Sequence, residues 1–175
     1  MLGKDYEGQE CALASTLEVL GERWTLLIVR DAFFGVRRYS DWVARLDIPR
    51  AVLSDRLRGL VASGILVKGD DQHYELTEAG TELWPALHEL IAWGARHRRP
   101  STNSYRHAAC DTELGPGAVC PACGLVPPAR DVLVVPRPSA TGGRTDPVSV
   151  AMRAPRRLLE PLDYRAPAAS NRAAA

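Results

Sequence analysis

A mainly α chain with one small β-hairpin, an α+β class, is what this sequence predicts. Three observations predict it. Five runs before residue 98 place apolar residues at the helical spacing of three and four. The period changes once, between Ile65 and Leu76, where two short β-prone runs flank a polar tip. Gly21, Gly35 and Gly64 each follow a helical run, where a glycine can close a helix.

Cys11–Leu20 reads CALASTLEVL, with apolar residues at 13, 17 and 20, an amphipathic helix that Gly21 stops. WTLLIVRDAFF, from Trp24, is apolar almost all round and predicts a buried helix ended by Gly35. Tyr39–Leu46 is short, with Trp42, Val43 and Leu46 facing inward and Ser40 or a neighbour as its cap. Pro49 suits the first turn of the next helix, because its missing N–H would be unpaired there anyway. From Arg50 the set Val52, Leu53, Leu57, Leu60 and Val61 repeats at helical spacing as far as Gly64. Ile65–Val67 and Tyr74–Leu76 then flank Gly69-Asp70-Asp71-Gln72 as a hairpin. Thr77 is the natural cap of a long helix carrying Leu83, Trp84, Leu87, Leu90 and Ile91.

The 175 residues allow one domain with a tail or a second small module, and 46% apolar residues suffice for a core. No window approaches ~20 uninterrupted apolar residues, so no spanning helix is expected. The first ten residues hold no apolar signal segment, and a cytoplasmic location is expected. In that compartment the four cysteines are expected as thiols or metal ligands, not as a disulfide framework. The net charge of +1 is silent about nucleic acid, but its distribution is not. Residues 35–68 hold six arginines and Lys68 against Asp41, Asp47 and Asp55, a local basic segment in a neutral chain.

A short helix, a tight turn, an amphipathic helix and a hairpin make a winged helix-turn-helix. The leucines of the second helix face the core, which leaves Arg50, Ser54, Asp55 and Arg58 free to enter a major groove of double-stranded DNA. Arginine there can bond a guanine bidentately. Arg37 and Arg38 precede the short helix and suit phosphate contacts that set register. Tyr39 and Pro49, at the starts of the two helices, and Lys68 and His73, flanking the wing tip, complete the candidate DNA-binding set. The alternative is that Arg56 and Arg58 are ordinary helix-surface charges paired with Asp55 or Asp41.

Several marks occur together: Cys11, the Gly-x-x-Trp of Gly21–Trp24, Phe34-Gly35, the Leu-Ser-x-Arg-Leu of Leu53–Leu57, and the Leu-Thr-x-x-Gly of Leu76–Gly80. In these the chain resembles the HxlR-type bacterial winged-helix transcription regulators over residues 9–98, part of the MarR-like superfamily. The resemblance implies a homodimer on a roughly palindromic operator, its first and last helices forming the interface. Leu13, Leu17, Leu83, Leu87, Leu90 and Ile91 are the contact candidates. It also implies a possible sensor at Cys11, for an oxidant or a small-molecule effector; the other reading of Cys11 is a small hydrophobe buried at that interface.

The composition shifts after Pro100. His107, Cys110, Cys120 and Cys123 form H-x2-C-x9-C-x2-C, whose short pairs can each present two ligands to one ion. Four nitrogen and sulfur ligands would close a tetrahedral, structural zinc site and fold residues 101–135 as a small zinc-ribbon-like tail, with Val132–Val135 as an added strand. A Cys120–Cys123 redox pair, or no metal, are the alternatives. Residues 136–175, dominated by Pro, Ala, Arg and Ser, are expected to be mostly disordered.

No phosphate loop, nucleophile elbow or carboxylate pair is present, so no enzyme is expected. The leading reading is a DNA-binding regulator. The competing one is a protein-interaction or thiol- and metal-sensing module that uses the winged helix without reading DNA.

Overall fold

Helical periodicity and glycine punctuation become four helices in close succession. The computed structural model describes Tyr6, residues 9–137 and residues 143–164. The helices are α1 (Ala12–Leu20), α2 (Thr25–Phe33), α3 (Tyr39–Leu46) and α4 (Arg50–Ala62). The wing is β1 (Leu66–Lys68) paired antiparallel with β2 (Tyr74–Leu76), Val67 opposite Glu75. Ile28, Phe33, Trp42, Leu53, Leu57, Leu60 and Trp84 are fully buried together. Each such side chain stabilises the fold by about 1.5–3 kcal/mol. The Trp42 indole N–H donates to the Ile28 carbonyl, so its one polar atom is satisfied in the core.

The long helix expected from Thr77 is two helices. Thr77 does cap it, its hydroxyl accepting from the Gly80 N–H. But α5 (Glu78–Thr81) stops after one turn, and α6 (Trp84–His97) restarts with a proline in its first turn. Pro85 has no N–H for the Thr81 carbonyl and its ring would strike that carbonyl, so the helix breaks between them.

The tail builds a second sheet of four antiparallel strands. Its strands are β3 (Asn103–His107), β4 (Thr112–Glu113), β5 (Val132–Pro136) and β6 (Arg156–Arg157), in the order β4-β3-β5-β6. β5 is the expected added strand, extended by Pro136. The sheet docks on α6 through aromatic rings: Tyr105 lies 5.1 Å from Trp84 and 5.5 Å from His88, centroid to centroid.

The expectation of disorder beyond residue 136 is corrected for residues 143–164. Helix α7 (Pro147–Ala151) is capped by Asp146, whose carboxylate accepts from the Ser149 N–H. Val148 and Leu158 are buried. Composition hid this because few apolar anchors suffice for a segment that borrows an existing core. Residues 138–142 and 165–175 lie outside the described residues.

After β6 the chain lies across the end of α2. The Leu159 N–H donates to the Phe33 carbonyl and the Leu162 N–H to the Gly35 carbonyl. Gly35 has φ +88°, and a Cβ there would collide with the Glu160 carbonyl. The glycine thus both ends α2 and admits the strap.

Candidate functional site

Between α3 and α4 the chain turns at Asp47, in left-handed backbone with φ 55°, while Ile48 is buried and Pro49 stands as the residue before α4. Leu53, Leu57 and Leu60 anchor α4 from one side. Arg50, Ser54, Asp55 and Arg58 are all exposed on the other. The Tyr39 hydroxyl donates to the Arg50 carbonyl at 2.8 Å and lies 3.2 Å from the Ser54 hydroxyl. Tyr39 therefore fixes the start of α4 relative to α3.

The charges on this surface are partly paired. Arg58 meets Asp55 at 3.3 Å, but its side chain remains 74% exposed. Arg56 is held between Glu22 at 2.8 Å and Asp55 at 2.9 Å. Arg37 pairs with Glu75 of β2 at 2.5 Å and also donates to the Leu159 carbonyl, so it clamps the wing and the strap. Arg38 is exposed and donates through Nε to His73 Nε2 at 2.8 Å. His73 Nδ1 faces Asp71 at 2.7 Å. The backbone N–H of His73 holds the Asp71 carboxyl below the usual range. Lys68 sits over the Tyr74 ring. Glu22, Glu75, Asp71 and the strap carbonyl were missed as partners; the two-residue spacing of Asp71 and His73 signals that pair, and nothing local signals the others.

In the tail, His107, Cys110, Cys120 and Cys123 present ligand atoms that all lie within 4.8 Å of one another. Cys110 Sγ is 3.5 Å from His107 Nδ1, 3.5 Å from Cys120 Sγ and 3.6 Å from Cys123 Sγ. A tetrahedron with ~2.3 Å metal–sulfur bonds has edges of about 3.8 Å, so the set fits a zinc-sized ion. Turns at Asp111 (φ 53°) and Gly124 (φ 71°) follow the two ligand pairs and curl each around the centre. The Thr112 hydroxyl, then its backbone N–H, lower the Cys110 thiol to about 6, whereas hydrogen bonding to Cys110 and Cys120 pushes Cys123 up to about 11. The cluster can hold a metal ion.

Cys11 is exposed within its own chain and stands at the N-cap of α1. The backbone N–H groups of Ala14 and Leu13 lower its thiol pKa. An apolar groove of about 860 Å³ runs between α1, α2 and α6. Leu13, Leu17, Leu27, Leu90 and Trp93 are exposed along it. Leu87, by contrast, is buried within its own chain, and Leu83 and Ile91 are partly so. Among the described residues no helix is long and apolar enough to cross a membrane.

A helix-turn-helix with an exposed basic helix and a wing defines a DNA-binding transcriptional regulator. Residues 19–102 match the HxlR-like helix-turn-helix family. The HTH-type transcriptional regulator Rv3095 of Mycobacterium tuberculosis (strain ATCC 25618 / H37Rv) is 41% identical over 146 residues, which cover 78% of this chain and 91% of that protein. The HTH-type transcriptional regulator YtcD of Bacillus subtilis (strain 168) is 34% identical over 94 residues, 49% of this chain and 74% of that one. The crystal structure of PA1607 aligns with a TM-score of 0.49 at 36% identity, over 52% of this chain and 68% of that one. The chain belongs to the HxlR-like helix-turn-helix family and is a transcriptional regulator, not an enzyme.

Proposed function

We propose that the protein binds a roughly palindromic operator as a homodimer, with α4 in the major groove and the β1–β2 wing against the flanking backbone. The observation that carries this is the exposed row Arg50, Ser54 and Arg58, opposite a leucine anchor and steadied at its start by Tyr39. Arg50 and Arg58 read base edges; Arg38, Lys68 and His73 contact phosphates or the minor groove. Two copies meet through the apolar groove of α1, α2 and α6, where Leu13, Leu17, Leu90 and Trp93 are exposed. An exposed apolar surface of this kind marks an interaction site. Two-fold symmetry then sets half-sites about 34–36 Å apart.

A structural zinc ion held by His107, Cys110, Cys120 and Cys123 supports the tail; the convergence of all four ligand atoms on one centre favours it over a Cys120–Cys123 redox pair. Four protein ligands leave no open position, so the ion's role is to hold the tail sheet together. Cys11 is the candidate sensing thiol, exposed and with a lowered pKa.

The test is fluorescence anisotropy of the full chain against the DNA upstream of its own gene, beside an unrelated duplex, at several salt concentrations, with the mass in solution measured in parallel. Selective binding that weakens steeply with salt, by a dimer, is expected. Binding that is equal for both duplexes and insensitive to salt would favour the interaction-module reading.

A further inference from the structure

A second cavity, of about 630 Å³, opens between α3, α7 and the tail sheet. Its size is ordinary for a small-molecule site. Five arginines line it, Arg45, Arg99, Arg144, Arg153 and Arg156, and among the described residues no carboxylate does so. Phe34, Val134, Pro136 and Met152 supply apolar wall.

The acids behind this lining neutralise only part of it. Buried Asp31 bonds Arg30 and lies 3.8 Å from Arg45 Nε; Asp146 pairs with Arg144 at 3.3 Å. Among the described residues, Arg99, Arg153 and Arg156 have no carboxylate within ion-pair distance. Arg156 donates through Nη2 to the carbonyls of Glu160 and Pro161, and Arg153 to that of Arg144. The Nε atoms of Arg45 and Arg156 are buried with no hydrogen-bond partner. Burial lowers the pKa of both side chains, against the pull of Asp31 on one and Glu160 on the other. Three of the five lining arginines lack a carboxylate partner among the described residues, so an anion in the cavity would meet unneutralised guanidinium groups.

We propose that this cavity binds a small organic carboxylate with an apolar body. Arg45, Arg153 and Arg156 hold the carboxylate, and Phe34, Val134 and Met152 pack the body. Arg45 belongs to α3, and Arg144 donates to the Ala44 carbonyl of the same helix. Occupancy therefore bears on the first helix of the helix-turn-helix, a coupling that rests on the regulator reading while the binding itself does not.

The test is calorimetric titration of the full-length protein with 2-naphthoate, and with neutral 2-naphthamide as control. Saturable binding of one naphthoate per chain is expected, with the amide at least about tenfold weaker because it lacks the charge-assisted bonds. Arg153→Ala and Arg156→Gln should each weaken naphthoate about tenfold or more, with thermal melts showing that both remain folded. Equal affinity for acid and amide would overturn the proposal. So would binding that Trp93→Ala abolishes and Arg153→Ala leaves alone, which would place the probe in the apolar groove. Loss of DNA affinity in Arg153→Ala without any naphthoate binding would make these arginines phosphate contacts and overturn it too. Naphthoate binding with unchanged DNA affinity would uphold the site and overturn only the coupling.

Discussion

The Tyr39 hydroxyl donates to the Arg50 carbonyl at 2.8 Å, bonding the first residue of α3 to the first residue of α4. A side chain on one helix thus sets the angle of the other. Tyr39→Phe removes the bond to the Arg50 carbonyl and the contact with the Ser54 hydroxyl, a loss of about 1–2 kcal/mol that lowers Tm by a few degrees. DNA affinity should fall as well, because Arg50 and Ser54 lose their fixed position. Unchanged anisotropy with a lowered Tm would mean that α4 is held well enough by its leucines.

Arg58 and Arg37 should separate reading from holding. Arg58 is mostly exposed and, among the described residues, its ion-pair partner is Asp55, so Arg58→Ala should leave Tm within about 1 °C and weaken operator binding by about 1–3 kcal/mol if it meets a base edge. Arg37 ties Glu75 to the Leu159 carbonyl, so Arg37→Ala should lower Tm. If Arg37 also meets a phosphate, the salt slope falls by about 1. Melting and salt-dependent anisotropy of both variants test the division.

Gly35→Ala should dislodge the strap. The position needs φ +88°, and the new methyl would meet the Glu160 carbonyl. A destabilisation of about 2–4 kcal/mol is expected from left-handed strain and backbone collision together. Limited proteolysis should then cut within residues 159–164 of the variant before it cuts the helices. Equal resistance in variant and parent would show that the strap adds no protection.

Metal removal should free the cluster's thiols. In the metal-free protein at pH 7, Cys110 and Cys123 should both be alkylated by iodoacetamide. Adding zinc should protect both. Zinc uptake should release a proton from Cys123, so titrations in two buffers of different ionisation heat should differ. Alkylation that zinc does not slow would remove the metal reading.

His88 should make stability depend on pH. Burial against Trp84 and Tyr105 depresses its pKa below 6.5, with Glu89 opposing the shift. Between that folded value and 6.5 the unfolded chain carries a proton that the folded chain does not. Stability is therefore complete above pH 6.5 and is lost as pH falls through 6.5 toward the folded value. A Tm series from pH 8 to pH 5 should fall in the parent and flatten in His88→Gln. Parallel curves would assign the pH dependence to other groups.

Residues 11–76 were legible in sequence because their signals are local. Helical apolar spacing, Gly35 and Gly64 at φ +88° and +72°, and the Tyr74–Leu76 strand depend on near neighbours alone. The ligand spacing of His107, Cys110, Cys120 and Cys123 is equally local, and the four side chains do converge. Pro85 was also visible, yet the apolar pattern runs through it and conceals the break.

What only the tertiary structure decided are the contacts made across more than a hundred residues. Tyr164 bonds Asp41, Arg45 bonds Ser149, and Leu159 meets both Phe33 and Arg37. No period or motif predicts such pairs, because each partner's sequence neighbourhood is compatible with plain solvent exposure. Which of the interface leucines remain exposed was settled in the same way. Leu87 turns inward and Leu90 outward because α6, restarting at Trp84, packs one face against Phe33 and the tail sheet. The sequence by itself determined the helices and hairpin up to Leu76 and the His107, Cys110, Cys120 and Cys123 cluster; the packing of the tail on the helices decided which charges hold the fold and which stay exposed.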